Sequence, residues 1–345
     1  MGNNVNSLQG KMESFENVLS VEAPSVFFLQ ETKLGRPGKI RTPSSNNYTW
    51  YELHRTKDAS KGQKGGGLAL GVLNILNPSW ISEGDDEAEA ITVEIWLEGF
   101  PIRLICGYGP QESDTKERKQ KFWDYLNIEV QSASSAGSSI IIQMDGNLWA
   151  GKDIIKEDPN TQNQNGKLFK DFLQKNPHLT VVNALKLCEG RITRSKHTKN
   201  GEERSILDFF IVCENILPLV TKMVVDEIGE IALTKYRKGN IVKTDHNMLK
   251  LEINLTFHKE KDHERTEVFN LRNTNCQQIF KENTSNTDSF TKCFLTEENI
   301  NIQFLRWKRR LIKSIHASFN KIRLTSANQQ TTPQIDKLMK EKRDI

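Results

Sequence analysis

The chain has 345 residues, of which 27% are charged, and its formal net charge is +4. No apolar run approaches the roughly 20 residues that span a bilayer, and the N-terminal segment lacks the succession of basic, apolar and small residues of a secretory signal. The five cysteines form no Cys-x-x-Cys pair, which argues against a disulfide framework and a cysteine-based zinc site. These features exclude a membrane partner and favour an intracellular protein, nuclear or cytoplasmic.

The net charge is divided unevenly along the chain. Residues 1–257 carry 31 Lys and Arg against 33 Asp and Glu, whereas residues 258–345 carry 17 against 11. The basic excess therefore lies in the C-terminal part. We predict a domain boundary near residue 258, with a slightly acidic domain over 1–257 and a basic appendage over 258–345.

The predicted elements of the first domain are short strands with few helices. An amphipathic helix is predicted over 8–22, since Leu8, Met12, Phe15 and Leu19 share one helical face. Two more helices are predicted, over about 114–130 and 165–175. Strands are predicted at the apolar runs 26–30, 67–73, 90–97, 102–108, 139–144, 179–183, 206–212 and 248–255. This order favours an α+β fold in which layered sheets are flanked by helices.

The pattern after residue 258 is helical. Apolar residues recur every three or four positions at Phe304, Trp307, Leu311, Ile315, Phe319 and Ile322. A polar linker is predicted at 326–333, and a charged helix is predicted to begin near 334. The basic run 306–310 could contact nucleic acid, RNA included, although such a run on an amphipathic helix is more often a solvated face.

Several polar residues follow the ends of predicted strands. They are Glu31, Tyr108, Asp145, Asn147 and Asp208, and the pair Asp245-His246 precedes the strand predicted at 248–255. Side chains at strand ends are held by the sheet and can reach a shared crevice. Carboxylate and amide oxygens suit a hard cation such as Mg²⁺, so phosphoester cleavage is the expected chemistry. Taken singly, each of these residues is more often a turn or cap residue, and Tyr108 could serve packing alone.

Six segments, in order, resemble the motifs of the endonuclease/exonuclease/phosphatase (DNase I-like) superfamily. They read Asn4-Val5-Asn6-Ser7-Leu8, Leu29-Gln30-Glu31-Thr32-Lys33, Gly107-Tyr108-Gly109-Pro110, Met144-Asp145-Gly146-Asn147, Ser205-Ile206-Leu207-Asp208-Phe209 and Thr244-Asp245-His246-Asn247. Within the superfamily the chain most resembles the endonuclease domain of non-LTR (LINE-type) retrotransposon proteins. The resemblance implies a four-layer α/β/β/α sandwich, and the region after 258 resembles the connector that precedes a reverse transcriptase.

The resemblance also implies a metal site. Glu31 would be the principal ligand, supported by Asn4, and Asp245 would be the acidic neighbour that helps to shape the site. Mg²⁺ is the expected ion, with Mn²⁺ as an alternative.

Proton transfer and substrate binding are assigned by the same resemblance. His246 would be the general base, and Asp208 would fix its tautomer. Asp145 would orient the water, Asn147 would hold the scissile phosphate, and Tyr108 would lie against the phosphate or the leaving group. A further position, Thr193, matches a threonine that contacts DNA in the retrotransposon enzymes.

One departure from the superfamily pattern concerns the first strand. Only Met1-Gly2-Asn3 precede Asn4, where the superfamily has a complete apolar strand. We therefore expect the first strand to be missing or almost so, which would leave Asn4 on a frayed terminus. The sequence is expected to be a fragment of a longer reverse transcriptase protein.

The sequence thus predicts a Mg²⁺-dependent DNA endonuclease that nicks one strand and leaves a 3′-hydroxyl for priming reverse transcription. Two alternatives stay open. One is a catalytically impaired retroelement remnant that binds nucleic acid through its basic tail. The other is a different phosphodiesterase of the superfamily, acting on lipid or inositol phosphates.

Overall fold

The structure, a computed structural model, divides into two compact units, Met1–Thr256 and Phe257–Ile345. It describes residues 1–35, 38, 40–54, 66–97, 100–198, 201–237 and 240–254 of the first unit. Of the second unit it describes only 267–269, 281 and 321–323.

The first sheet of the first unit has seven strands. In spatial order they are β10 (Cys188–Glu189), β14 (Val220–Val225), β17 (Leu249–Ile253), β1 (Gly2–Asn4), β2 (Val26–Gln30), β4 (Leu68–Leu73) and β3 (Tyr48–Leu53). Side chains alternate along β2, because successive residues of a strand point to opposite faces. Phe27 and Leu29 belong to one hydrophobic cluster and Phe28 to the other, so both faces of this sheet are covered.

The second sheet has six strands. In spatial order they are β5 (Ser79–Glu83), β6 (Ala90–Leu97), β7 (Phe100–Tyr108), β8 (Ser139–Asp145), β13 (Asp208–Cys213) and β9 (Leu179–Val181). Phe28 of the first sheet meets Phe210 of the second edge to face, with ring centroids 6.0 Å apart. The inner faces of the two sheets therefore pack on each other.

Helices cover the two outer faces. Helix α1 (Met12–Val21) packs on the first sheet, where Phe15 stacks on Phe27 at 5.6 Å. Helices α2 (Lys116–Ala136) and α3 (Gln164–Lys175) pack on the second sheet.

The helix ends follow from the local sequence. The Thr115 hydroxyl accepts the amide of Arg118 at the start of α2, and Gly137 ends this helix in the left-handed conformation. The α/β/β/α sandwich predicted from the sequence is confirmed.

The prediction of a missing first strand is wrong. Gly2–Asn4 forms a short strand in the middle of the first sheet, parallel to β2 and bridged to Leu249 on the other side. Asn4 is only 1% exposed, so it does not lie on a frayed end. Three residues suffice here because their backbone groups pair with β2 and β17 on either side, and the burial of the ordered partners stabilises the short segment.

Gly2 shows how closely this strand approaches the second sheet. A Cβ atom at Gly2 would lie 2.4 Å from Cδ of Gln143, so this position leaves no room for a side chain. The strand was missed because its sequence, Gly2-Asn3-Asn4, carries no apolar signal.

Two hairpins stand apart from the main sheets. They are β11 (Arg194–Thr198) with β12 (Gly201–Ser205), and β15 (Thr234–Arg237) with β16 (Asn240–Lys243). Neither was predicted, since their sequences are polar and charged and lack an apolar run. Both flank segments that carry predicted site residues.

In the second unit, β18 (Glu267–Phe269) pairs antiparallel with β19 (Lys321–Arg323). The prediction that Ile322 continues a helix is therefore wrong, because Ile322 pairs with Val268. The rest of the predicted helical pattern, the basic run 306–310, the linker and the last helix lie outside the described residues. No helix in the described part of the chain is long and apolar enough to cross a membrane.

Candidate active site

Register places three predicted site residues side by side at one end of the second sheet. Tyr108 is the last residue of β7 and pairs with Asp145, the last residue of β8. Asp145 in turn pairs with Asp208, the first residue of β13. The row is a direct consequence of strand pairing, which fixes which side chains are neighbours.

Three further predicted residues come from the first sheet. Asn4 ends β1, Glu31 follows β2, and His246 lies three residues before β17. In the described residues, three hydrogen bonds join these side chains to the row of the second sheet. They link Asn4 Nδ2 to Asp145 Oδ2 at 2.7 Å, Tyr108 OH to Glu31 Oε1 at 2.8 Å, and His246 Nδ1 to Asp208 Oδ2 at 2.8 Å. The site is thus assembled across the two sheets.

Glu31 is held by donors on both carboxylate oxygens. Its Oε1 accepts bonds from Tyr108 and, at 3.1 Å, from Asn4 Nδ2, and its Oε2 lies 2.8 Å from Nζ of Lys33. The same Nζ is 2.7 Å from Oδ1 of Asn6. Burial alone would raise the pKa of Glu31, but the hydrogen bond and charge of Lys33, with the bonds from Asn4 and Tyr108, hold it below its usual range. Glu31 is therefore ionised at neutral pH and offers carboxylate oxygens of the kind that a metal ion binds.

His246 and Asp208 form a buried pair. Asp208 is fully buried and His246 is 6% exposed. Burial would lower the pKa of His246, yet the charges of Asp208, Asp145 and Asp245 together with the Asp208 hydrogen bond raise it to about 9. The Nε2 atom of His246 has no hydrogen-bond partner among the described residues, and His246 lines the cleft described below.

Asp145 lies beneath the cleft. It is fully buried, and its Oδ1 accepts the backbone amide of Asn147 at 3.0 Å. Burial and the neighbouring charge of Asp208 raise its pKa to about 7. Asn147 is half-buried in the cleft, where its Nδ2 donates to the carbonyl oxygen of Gly109 at 2.8 Å.

The cleft itself gathers residues from both sheets and the loops between them. Its lining is Asn4, Asn6, Glu31, Gln111, Asn147, Arg194, Leu207, Asp245 and His246. Five of the nine residues predicted from the sequence are in this lining, and Tyr108, Asp145 and Asp208 lie directly behind it through the three bonds above.

The donor set fits a divalent metal ion. Oxygen or nitrogen atoms of Asp145, Asp208 and His246 all lie within 4.8 Å of one another. Oδ1 of Asp208 and Oδ1 of Asp245 are buried without a hydrogen-bond partner among the described residues. Buried orphan carboxylate oxygens are unfavourable alone and suit a hard cation such as Mg²⁺.

Asn4, predicted as a supporting ligand, is held in place by hydrogen bonds from both ends of its amide group. Its Nδ2 donates to both Glu31 and Asp145, and its Oδ1 accepts the amide of Asn6 at 3.0 Å. Asn4 therefore holds two carboxylates together at the edge of the cleft, and its role as a supporting metal ligand stays a prediction.

Thr193 was predicted to contact DNA, and the structure contradicts this. Thr193 is fully buried, and its hydroxyl oxygen accepts the amides of Leu207 at 2.8 Å and Asp208 at 3.0 Å. A side chain without exposed surface cannot reach a nucleic acid. Thr193 instead fixes the start of β13 and thereby the position of Asp208.

The sequence reasoning did not single out two cations at the site, Lys33 and Arg194. Arg194 lines the cleft, and its Nε lies 3.0 Å from Oδ2 of Asp245. Lys33 stands within a motif segment, so its position was available from the resemblance. Arg194 gave no signal, because its place beside Asp245 depends on an isolated backbone bridge to His246.

Backbone conformation is strained around the site. Among the described non-glycine residues, positive φ angles occur at Asn6 (41°), Ser7 (76°), Glu31 (50°), Lys33 (51°) and Asn147 (46°), with two further cases outside the site. The left-handed region is sparsely populated by such residues, and each occurrence costs roughly 1–3 kcal/mol. Strain of this kind persists where the surrounding contacts define the conformation, as the bonds to Glu31 and Asn147 do here.

Comparison with solved structures fits this geometry. The endonuclease domain of TRAS1, a telomere-specific non-LTR retrotransposon, superposes with a TM-score of 0.51 and 16% identity, covering 74% of this chain and 97% of that domain. The chain has a DNase I-like fold. An AP endonuclease from Archaeoglobus fulgidus gives the same TM-score at 17% identity, covering 74% of this chain and 98% of its own.

A 3′ phosphatase from Neisseria, solved with a product DNA hairpin, is similar to this DNase I-like chain to the same degree. Its TM-score is 0.51 at 17% identity, over 73% of this chain and 98% of its own. The sequence matches no family model and no curated protein. The likeness therefore rests on the fold.

Proposed function

We propose that this protein is a metal-dependent DNA endonuclease that hydrolyses one phosphodiester bond of a duplex. The observation that carries the proposal is the His246–Asp208 pair, bonded at 2.8 Å and facing a cleft that also holds the ionised Glu31. Phosphodiester hydrolysis requires a general base and a metal ion, and a positioned imidazole beside carboxylates can supply the first and bind the second.

His246 is the group that transfers the proton of the attacking water. Asp208 accepts a hydrogen bond from Nδ1–H of the imidazole, which leaves Nε2 as the atom that meets water in the cleft. An oriented base of this kind contributes about 10²–10⁴-fold to the rate. Asn147 is placed in the same cleft, where its amide can hold the scissile phosphate.

Glu31 and Asp245, with the carboxylates of Asp145 and Asp208 behind them, would hold Mg²⁺ or Mn²⁺. The bound ion would stabilise negative charge on the phosphate and, by offsetting the carboxylates, lower the pKa of His246 toward neutrality. In its absence the pKa of about 9 keeps His246 protonated at pH 7, so the imidazole is not a base under those conditions.

The alternative of a catalytically impaired remnant is less well supported. The residues implied by the resemblance to the retrotransposon endonucleases are present, and the short first strand that was expected to be missing lies in place. The similar solved structures also include an AP endonuclease and a 3′ phosphatase. Because their names point to different forms of DNA, the proposal also specifies the substrate. We propose an intact duplex as the substrate and a 3′-hydroxyl as the product end, as retrotransposition would use.

Plasmid nicking tests this proposal. The full chain is incubated with supercoiled plasmid and Mg²⁺, and the nicked circle is measured against time. We expect nicking that EDTA abolishes and that His246→Gln reduces by about 10²-fold or more. The control is His178→Gln, because His178 lies on the far end of the second sheet, beside Ser134.

The product end and the substrate form are measured in the same assay. Extension of the nick by a DNA polymerase without prior phosphatase treatment identifies a 3′-hydroxyl. Cleavage confined to a duplex with an abasic site would contradict the proposed substrate while leaving a nuclease. Absence of cleavage with every DNA form and with both metal ions would contradict the proposed function itself.

A further inference from the structure

We infer that Arg194 forms a phosphate-binding site in the cleft, one that takes a phosphodiester group of the DNA strand beside the scissile bond. The inference rests on the proposed function, since it identifies a contact to the same substrate. It assigns a role to Arg194, the one arginine of the cleft lining, whose guanidinium keeps open hydrogen-bond donors among the described residues.

The backbone of Arg194 is fixed against the segment that carries His246. Arg194 begins β11 and forms an isolated antiparallel bridge with His246. The amide of Ser195 donates to the carbonyl of Asp245 at 2.9 Å, and the amide of Asn247 donates to the carbonyl of Thr193 at 2.7 Å. Hydrogen bonds on both sides of Arg194 thus place its side chain beside the catalytic imidazole.

The guanidinium is oriented by Asp245 and is only partly used. Its Nε donates to Oδ2 of Asp245 at 3.0 Å. The two Nη atoms have no hydrogen-bond partner among the described residues, and the side chain is 25% exposed. Because the carboxylate engages the Nε side, both Nη groups are left free to donate to an anion in the cleft.

The charges around the cleft favour phosphate at this position. Glu31 and Asp245 line it, and Asp145 and Asp208 lie behind it, so the approach of a DNA strand meets negative charge. The ammonium of Lys33 is already engaged by Glu31 and Asn6. Arg194 therefore supplies the positive charge that a phosphodiester needs, and the planar guanidinium donates two parallel bonds to phosphate oxygens.

A second arginine of the same hairpin provides a matched control. Arg204 lies on β12, where its Nη2 is 3.2 Å from Oε2 of Glu227, and its side chain is 52% exposed. Arg204 does not line the cleft. Replacement of either arginine removes one positive charge from the hairpin, but only Arg194 is placed to meet the substrate.

Binding to a labelled DNA duplex, measured by fluorescence anisotropy in EDTA at several salt concentrations, tests the inference without cleavage. We expect Arg194→Gln to raise the Kd about 10-fold and to reduce the slope of log Kd against log salt by about 0.9, the value for one lost phosphate contact on B-DNA. Arg194→Lys should restore the slope but not the full affinity, because lysine keeps the charge and loses the two-point contact. Arg204→Gln should leave both quantities near the wild-type values.

An unchanged slope and Kd in Arg194→Gln would overturn the inference, and if the wild type still nicks plasmid the proposed function would stand. A lower affinity with an unchanged salt slope would also overturn it, because that pattern indicates a purely structural role through Asp245. A wild-type chain that neither binds nor nicks DNA would contradict both proposals. Thermal unfolding of each variant identifies any that fails to fold, and Arg194→Lys, which keeps the charge beside Asp245, then carries the test.

Discussion

The two sheets contribute to the site in different ways. The second sheet supplies Tyr108, Asp145 and Asp208 from the ends of regular paired strands, so register alone makes them neighbours. The first sheet supplies Glu31 and Asn4 around segments with positive φ angles, and it supplies His246 from a loop. The second sheet thus supplies its row of side chains by regular strand pairing, while the first sheet brings Glu31 and Asn4 to that row through segments with positive φ angles.

This difference between the sheets predicts that the first sheet is the more easily destabilised, and Gly2 in its central strand is one of its closely packed positions. A side chain at Gly2 would meet Gln143 at 2.4 Å, so Gly2→Val should lower the free energy of unfolding by roughly 2–4 kcal/mol through overpacking. Chemical denaturation measures this change. Gly35→Ala is the control, because nothing lies within 4 Å of a Cβ at Gly35. Equal stability of the Gly2 variant and the wild type would show that β1 is not held between its neighbours.

The free energy of unfolding depends on pH through the charge on His246, which pairs with Asp208 of the other sheet. Its pKa in the folded, metal-free protein is about 9, against an ordinary value of 6.5. The stabilisation from protonated His246 is therefore present in full below pH 6.5 and is lost as the pH rises through about 9. The difference in unfolding free energy between wild type and His246→Gln should shrink by about 3 kcal/mol over this range, at about 1.4 kcal/mol per pH unit.

Denaturation of both proteins in EDTA at pH 6, 7.5 and 9 measures that difference. The measured difference also includes Asp145, whose pKa is raised to about 7 and is lowered by the charge of His246. A difference that stays constant or grows with pH would contradict the ion pair with Asp208.

Substitution of Thr193 tests whether the second sheet fixes the position of Asp208, its proposed catalytic residue. Thr193→Val keeps the volume but removes the oxygen that accepts the amides of Leu207 and Asp208. Two buried donors would then be unsatisfied, so the free energy of unfolding should fall by about 2 kcal/mol. The salt dependence of DNA binding should be unchanged, because Thr193 has no exposed surface. If Thr193→Val reduced the slope of log Kd against log salt without lowering stability, Thr193 would contact DNA as the sequence predicted.

Substitution of Tyr108 tests the hydrogen bond that joins the two sheets at Glu31. Tyr108→Phe removes the hydroxyl that donates to Oε1 of Glu31 at 2.8 Å, which should raise the pKa of Glu31 and lower stability by about 1 kcal/mol. Mg²⁺ titration followed by calorimetry should show that the variant binds Mg²⁺ more weakly than the wild type at acidic pH, where Glu31 protonates, and equally well at pH 8. If the variant and the wild type bound Mg²⁺ equally well at both pH values, Tyr108 would have no effect on the metal site.

The part that could be predicted from the sequence lies mostly in the second sheet. Runs such as 139–144 are apolar and β-branched, so they are recognised as strands and the polar residue after them is recognised as a site residue. The same reasoning placed Glu31 after β2. The fold class followed, because many short strands with few helices suit a layered sandwich.

The remaining features depend on tertiary contacts that local sequence does not carry. β1 is a strand because β2 and β17 flank it, not because Gly2-Asn3-Asn4 favours extended structure. The charged hairpin β11–β12 shows no apolar run, and the role of Thr193 depends on amides 14 and 15 residues away. Ile322 continues a helical pattern in sequence but pairs with Val268 across more than fifty residues.

The central claim is that His246 from one sheet and Asp208 from the other act as a single catalytic unit. A double-mutant cycle of plasmid nicking measures it most directly, with His246→Gln, Asp208→Asn and the double variant compared at saturating Mg²⁺. If the two residues act through one another, the double variant should lose no more activity than His246→Gln alone. Losses in kcat that multiply, so that the double variant equals the product of the two single effects, would contradict the account.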